Sequence, residues 1–225
     1  MKNIITQDEK NAIDGLCREL GIRNYTINSD RTINVDGNVN IILGYKYKNI
    51  PLKFNIVGGS FICKNQTLST LKGCPKYVGG SFNCSGNRIT SLKFCPKKIH
   101  GDFICTHNSI VNLIDGPIHV GGNYNVAVNN LESLVGCAEK ILGNLQVGQN
   151  PRLISTFAGN TDIELMGNLI TSERSQIPNI ISSCDAPTIR MVLKYQRHFE
   201  IWNTDGTLNM KNFNDLLEEI KDGLL

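Results

Sequence analysis

Apolar and polar positions along this chain recur with a long period. Val57-Gly58-Gly59-Ser60-Phe61, Val78-Gly79-Gly80-Ser81-Phe82, Ile99-His100-Gly101-Asp102-Phe103, Val120-Gly121-Gly122-Asn123-Tyr124 and Ile141-Leu142-Gly143-Asn144-Leu145 start 21 residues apart. An earlier copy, Val35-Asp36-Gly37-Asn38-Val39, begins 22 residues before the first. Other columns keep the step: Gln66, Asn87, Asn108, Asn129 and Asn150; Leu68, Ile89, Ile110 and Leu131; Leu71, Leu92, Leu113 and Leu134. So short a unit cannot bury a core alone, so the copies must stack and share one. Phe61 with Cys63, Phe82 with Cys84 and Phe103 with Cys105 alternate with polar neighbours, which predicts a short strand with one face inward. The glycine pairs permit a tight or positive-φ turn where coils approach. Each column asparagine is expected to set its amide against the backbone of the next coil.

The ends depart from the repeat. Thr6-Gln7-Asp8-Glu9 has the form of a capping box, followed by Ile13, Leu16, Cys17 and Leu20 on one helical face and by Gly21 as a stop. Tyr25 to Val39 alternates around Asn28-Ser29-Asp30-Arg31, predicting a hairpin. Residues 188–202 and 210–222 read as helices, the second with Phe213, Leu216, Leu217, Ile220 and Leu224 along one face. The expected organisation is therefore an N-terminal cap over 1–34, a solenoid over 35–170, a connector over 171–187 and a helical C-terminal cap over 188–225. A cap is what the open end of a stacked repeat requires, although the C-terminal helices could also form a separate partner-binding hairpin.

The stretch Cys84-Ser85-Gly86-Asn87-Arg88-Ile89-Thr90-Ser91-Leu92 resembles the leucine-rich repeat, with Phe82 and Cys84 at leucine positions and Asn87 and Ile89 matching directly. The motif's first leucine falls on Gly79. Cys74-Pro75 and Cys95-Pro96 resemble the Leu-Pro step of short bacterial-effector repeats, and the Gly-Gly-Ser-Phe and Gly-Cys-Pro-Lys wording is most similar to repeat proteins of tailed bacteriophages. The fold class expected is an α+β repeat: a right-handed leucine-rich-repeat-like solenoid with parallel strands every 21 residues and helical caps. The resemblance implies a strand-lined concave face used for protein binding.

Composition narrows the chemistry. The 225 residues are 40% apolar without any run near the ~18 that a membrane-spanning helix needs. The N-terminal apolar stretch is too short for a secretory signal, so a cytosolic setting with reduced thiols is expected, the virion being the alternative. Six of the eight cysteines fall in two repeat columns, Cys63/Cys84/Cys105 and Cys74/Cys95/Cys137. A structural zinc needs four converging ligands, whereas these lie in rows, so buried packing residues are expected and no metal or cofactor. None of the four histidines has a nucleophile placed for a triad. Cys184-Asp185 and Asn203-Thr204-Asp205-Gly206 match catalytic and calcium-loop patterns too incompletely to carry chemistry. No enzyme is expected.

Two surfaces remain. Alternation turns outward Ser60, Ile62 and Lys64; Ser81, Asn83 and Ser85; Asp102, Ile104 and Thr106; Asn123 and Asn125; and Gln146, a small, polar, nearly uncharged concave face suited to one protein partner. Between Gly37 and Gly101 there are ten basic residues and no acidic one, with Lys72, Lys76, Arg88, Lys93, Lys97 and Lys98 as the patch. Its tyrosines, Tyr45, Tyr47 and Tyr77, are few for base stacking, which leaves nucleic acid as the weaker alternative. The expectation is a non-enzymatic module that binds a host protein on behalf of a phage, with a virion or assembly component as the alternative.

Overall fold

The computed structural model describes residues 5–44, 46–153, 162–172 and 178–224. It is a parallel β-solenoid in which each coil contributes two very short strands, one to each of two sheets. One sheet, sheet A, runs β2 (Ile33–Val35), β4 (Phe54–Val57), β6 (Tyr77–Val78), β8 (Lys98–Ile99), β10 (His119–Val120), β12 (Lys140–Ile141) and β14 (Glu164–Leu165). The other, sheet B, runs β3 (Val39–Asn40), β5 (Phe61–Ile62), β7 (Phe82–Asn83), β9 (Phe103–Ile104), β11 (Tyr124–Asn125), β13 (Leu145–Gln146) and β15 (Leu169–Ile170). The pairing Val57↔Val78↔Ile99↔Val120↔Ile141 in sheet A and Phe61↔Phe82↔Phe103↔Tyr124↔Leu145 in sheet B reproduces the sequence register. Six turns join the seven strand pairs, a rod of about 29 Å at ~4.8 Å per step.

The strand before each glycine pair was not part of the sequence expectation, which placed one strand per coil. A leucine-rich repeat commonly adds a helix to each unit; among the described residues of the coils there is none.

The core is a set of columns one residue wide. Phe61 and Phe82 stack at 5.7 Å between ring centroids, Phe82 and Phe103 at 6.1 Å, and Tyr124 tilts onto Phe103 at 4.7 Å. Leu68, Ile89, Ile110 and Leu131, and Leu71, Leu92, Leu113 and Leu134, are buried beside them. Seven cysteines are buried as free thiols, with Cys84 and Cys105 Sγ 3.0 Å apart.

Both ends are covered. Helix α1 (Gln7–Glu19) starts in the expected capping box, the Glu9 amide donating to Thr6 Oγ1 (3.3 Å) and the Thr6 amide to Glu9 Oε2 (2.9 Å). Strand β1 (Tyr25–Ile27) pairs antiparallel with β2 and closes the first edge of sheet A. Glu9 then pairs with Arg31 at 2.7 Å and Tyr25 donates to Asp14 at 2.8 Å, fixing helix to hairpin. At the other end α2 (Asn179–Ser182), α3 (Ala186–Tyr195) and α4 (Met210–Lys221) follow, with α3 packed on β14 and β15. The Ile163 amide donates to the Leu193 carbonyl at 3.0 Å, anchoring the cap to the last coil. Part of the expected 171–187 connector, residues 173–177, lies outside the described residues; α2 and the start of α3 fall within its remainder.

Candidate functional site

Two hydrogen-bond ladders tie the coils together beside sheet B. In the first, each residue after the corner glycine accepts from the amide one coil on. Asn38 accepts from Ser60 (2.8 Å), Ser60 from Ser81 (3.0 Å), Ser81 from Asp102 (3.0 Å), Asp102 from Asn123 (2.7 Å) and Asn123 from Asn144 (2.9 Å). The accepting oxygen lies where a side chain on the glycine beneath would go: a Cβ on Gly101 would be 2.6 Å from Ser81 Oγ. The glycine column is therefore set by close approach, without any positive φ at Gly59, Gly80, Gly101, Gly122 or Gly143. Ser60, Ser81, Asp102 and Asn123, expected as partner-binding residues, each commit one side-chain oxygen to the ladder.

The second ladder is the asparagine column. Asn129 Oδ1 accepts from the Ile110 amide (3.1 Å), and its Nδ2 donates to the carbonyls of Cys105 (2.9 Å) and Val126 (3.0 Å). Asn87, Asn108 and Asn150 repeat the arrangement. Each amide reaches the preceding coil, the reverse of the direction expected, because its side chain turns back toward the coil already laid down. A groove of about 350 Å³ runs alongside, lined by Asn108, Val128, Asn129, Asn130, Gln149 and Pro151.

Beside Ser60, Ser81, Asp102 and Asn123, themselves half-buried, sheet B presents the equally half-buried in-register row Ile62, Asn83, Ile104, Asn125 and Gln146. Asn125 Nδ2 donates to Gln146 Oε1 (2.7 Å), while Asn83 Oδ1 accepts from Ser85 Oγ (2.7 Å). Lys64 is exposed at one margin, with Ser85 and Thr106 half-buried along it.

Of the expected basic patch, Lys98 opens β8, Lys76 and Lys97 precede the strands of sheet A, and Lys72 and Lys93 lie in the turns leading to them. Arg88 follows Asn87 of the asparagine ladder. Tyr77 bonds His100 Nδ1 at 2.7 Å and Tyr47 donates to Glu19 at 2.8 Å, so neither ring is free of a partner; Tyr45 lies outside the described residues.

Among the described residues no three His, Cys, Asp or Glu side chains converge as a metal site would require. Burial pushes the Cys137 thiol up to about 12 and drives Cys74, Cys84 and Cys95 well above their ordinary range, which keeps these sulfurs protonated and unreactive. Cys184, half-buried, donates to the Ile180 carbonyl at 3.2 Å, and Asp185 beside it caps α3 by accepting from the Thr188 amide at 2.9 Å. Asp205 accepts from the Thr207 amide (2.9 Å) in a tight turn. No described helix is long and apolar enough to cross a membrane.

Sequence reasoning missed Phe94, which stands half exposed among the lysines with positive φ. The signal was present: aligned at the repeat step, its column reads Gly73, Phe94, Asp115, Gly136. Comparison with protein-family models, curated proteins and solved structures gives no match.

Proposed function

We propose that this protein is a non-enzymatic binding module whose sheet B face seats a single protein partner. The observation that carries the reading is the row Ile62, Asn83, Ile104, Asn125 and Gln146, in register across five coils and held by inter-coil ladders. Two isoleucines among amides give apolar points and hydrogen-bonding groups on a rigid surface, the mixture that protein interfaces use. Catalysis has little support, since the buried thiols are protonated and the acids at Asp185 and Asp205 serve local turns.

The biological setting follows the repeat wording. The leucine-rich-repeat and tailed-phage resemblance supports a phage accessory protein acting in the host cytosol on a host protein; a virion or assembly component is the alternative.

The test is capture from bacterial lysate by immobilised protein, comparing wild type with Asn83→Trp and Asn125→Trp. A partner retained by wild type and lost by both variants supports the reading. A partner held equally by all three places the interface elsewhere, and sedimentation of the protein with purified phage particles would favour the assembly role.

A further inference from the structure

We propose that Phe94 anchors a second interaction surface, one that docks an acidic polypeptide bearing an exposed apolar side chain. It lies at the turn into sheet A, and its argument is independent of the sheet B reading.

At this turn each coil passes through the left-handed backbone region: φ is +99° at Gly73, +72° at Phe94, +66° at Asp115 and +81° at Gly136. Glycine enters this region freely and aspartate tolerates it, but a bulky side chain meets the following carbonyl there. Phe94 gains only partial burial in exchange, for it remains 50% exposed. Nine other described non-glycine residues have a positive φ, but Phe94 is the only Phe, Tyr or Trp among them. It is thus unfavourable in two ways in the free protein, as backbone strain and as apolar surface in water, a combination that points to a functional position.

The surroundings identify the partner's chemistry. Lys93 Nζ sits 5.5 Å from the Phe94 ring centroid. Lys97 reaches to the next coil, donating to the carbonyls of Asp115 (2.7 Å) and Gly116 (3.2 Å). On that coil Ile114 is 50% exposed and Ile118 42%, the Ile118 amide donating to the Lys97 carbonyl at 2.8 Å. Phe94 and the two isoleucines thus stand in equivalent turns of adjacent coils, alongside the Lys72/Lys93 and Lys76/Lys97 columns, with Asp115 downstream and Asp30 near Lys76 upstream as the acidic borders. An apolar centre within a charged rim is the anatomy of a protein hot spot, and the rim's sign selects an acidic partner. Single-stranded nucleic acid would want successive stacking rings. The exposed apolar residues on the next coil are isoleucines instead, and Tyr77 is bonded to His100.

The experiment measures fluorescence anisotropy with labelled peptides of six glutamates around one leucine or one tryptophan, alongside a 20-mer of thymidylate, and thermal melts of the same proteins. Wild type is expected to bind a peptide. Phe94→Gly is expected to weaken that binding tenfold or more, while raising Tm by about 2–4 °C through relief of the strained φ. Lys93→Glu with Lys97→Glu should abolish binding, and Asn83→Trp with Asn125→Trp should leave it unchanged. The proposal is overturned if Phe94→Gly binds as wild type or melts lower, if wild type binds none of the peptides, or if only the oligonucleotide binds.

Discussion

Asn129 carries four hydrogen bonds to backbone groups on one buried side chain. Replacing it with alanine strands the Ile110 amide in a dry interior and leaves the Cys105 carbonyl to Asn108 Nδ2 (3.4 Å) and the Val126 carbonyl to Asn150 Nδ2 (3.1 Å). Asn129→Ala is expected to destabilise the protein by about 1–3 kcal/mol, the cost of one unsatisfied buried group. Urea denaturation measures this directly. A second residue-scale relation concerns Gly116. Phe82 and Phe103 have cysteine eight residues earlier (Cys74 and Cys95), whereas Tyr124 has Gly116. A Cβ on Gly116 would lie 2.8 Å from the Leu113 carbonyl oxygen and 2.9 Å from Leu92 Cδ1, and at an ordinary 3.4 Å from the buried Tyr124 hydroxyl, which has no hydrogen-bond partner. Gly116→Cys is therefore expected to destabilise the protein by about 1–3 kcal/mol in both the Tyr124 and the Tyr124→Phe backgrounds. Relief of most of that cost by Tyr124→Phe in a double-mutant cycle would contradict this.

At the scale of elements, the repeat period, the inward Phe-x-Cys strand, the capping box and the hairpin were all legible, because each rests on local chemistry recurring at a fixed step. The first strand of each coil was not. Two-residue strands such as Tyr77–Val78 carry no alternation to read, and the parallel partner that defines them lies 21 residues away. The roles of Ser60, Ser81, Asp102 and Asn123 were hidden for a related reason: alternation shows that they face outward but not that the next coil's amide takes their oxygen. Phe94 escaped notice because φ is invisible in a single coil and appears only when the column is compared. The caps also make an element-scale prediction. Helix α3 covers β14 and β15, so a chain ending at residue 172 would bare the last edges of both sheets. Light scattering should find it self-associated at concentrations where the full chain is not.

For the whole molecule, the thiol-rich core ties stability to pH. Burial raises Cys17 to about 11 and Cys137 to about 12 from an ordinary value of 9.0, with Cys74, Cys84 and Cys95 shifted the same way. Below pH ~9 the thiols are protonated whether the chain is folded or not, and their contribution is intact. As pH rises from there, the unfolded chain releases protons that the folded chain retains, so unfolding gains. Tm under reducing conditions is expected to fall steeply above about pH 9, and less steeply in Cys137→Ala; a flat profile would mean that the thiols are not buried as described. These properties describe a rigid rod with inert contents, whose chemistry lies on its surface. The most direct measurement of its role is photo-cross-linking in cell lysate, with a photoreactive side chain at Asn83 in sheet B, at Phe94, or at Lys211 in the C-terminal cap. A defined protein cross-linked from Asn83 is the result expected of a sheet B binding module; cross-links to that protein from Lys211 alone, or none from Asn83, would contradict it.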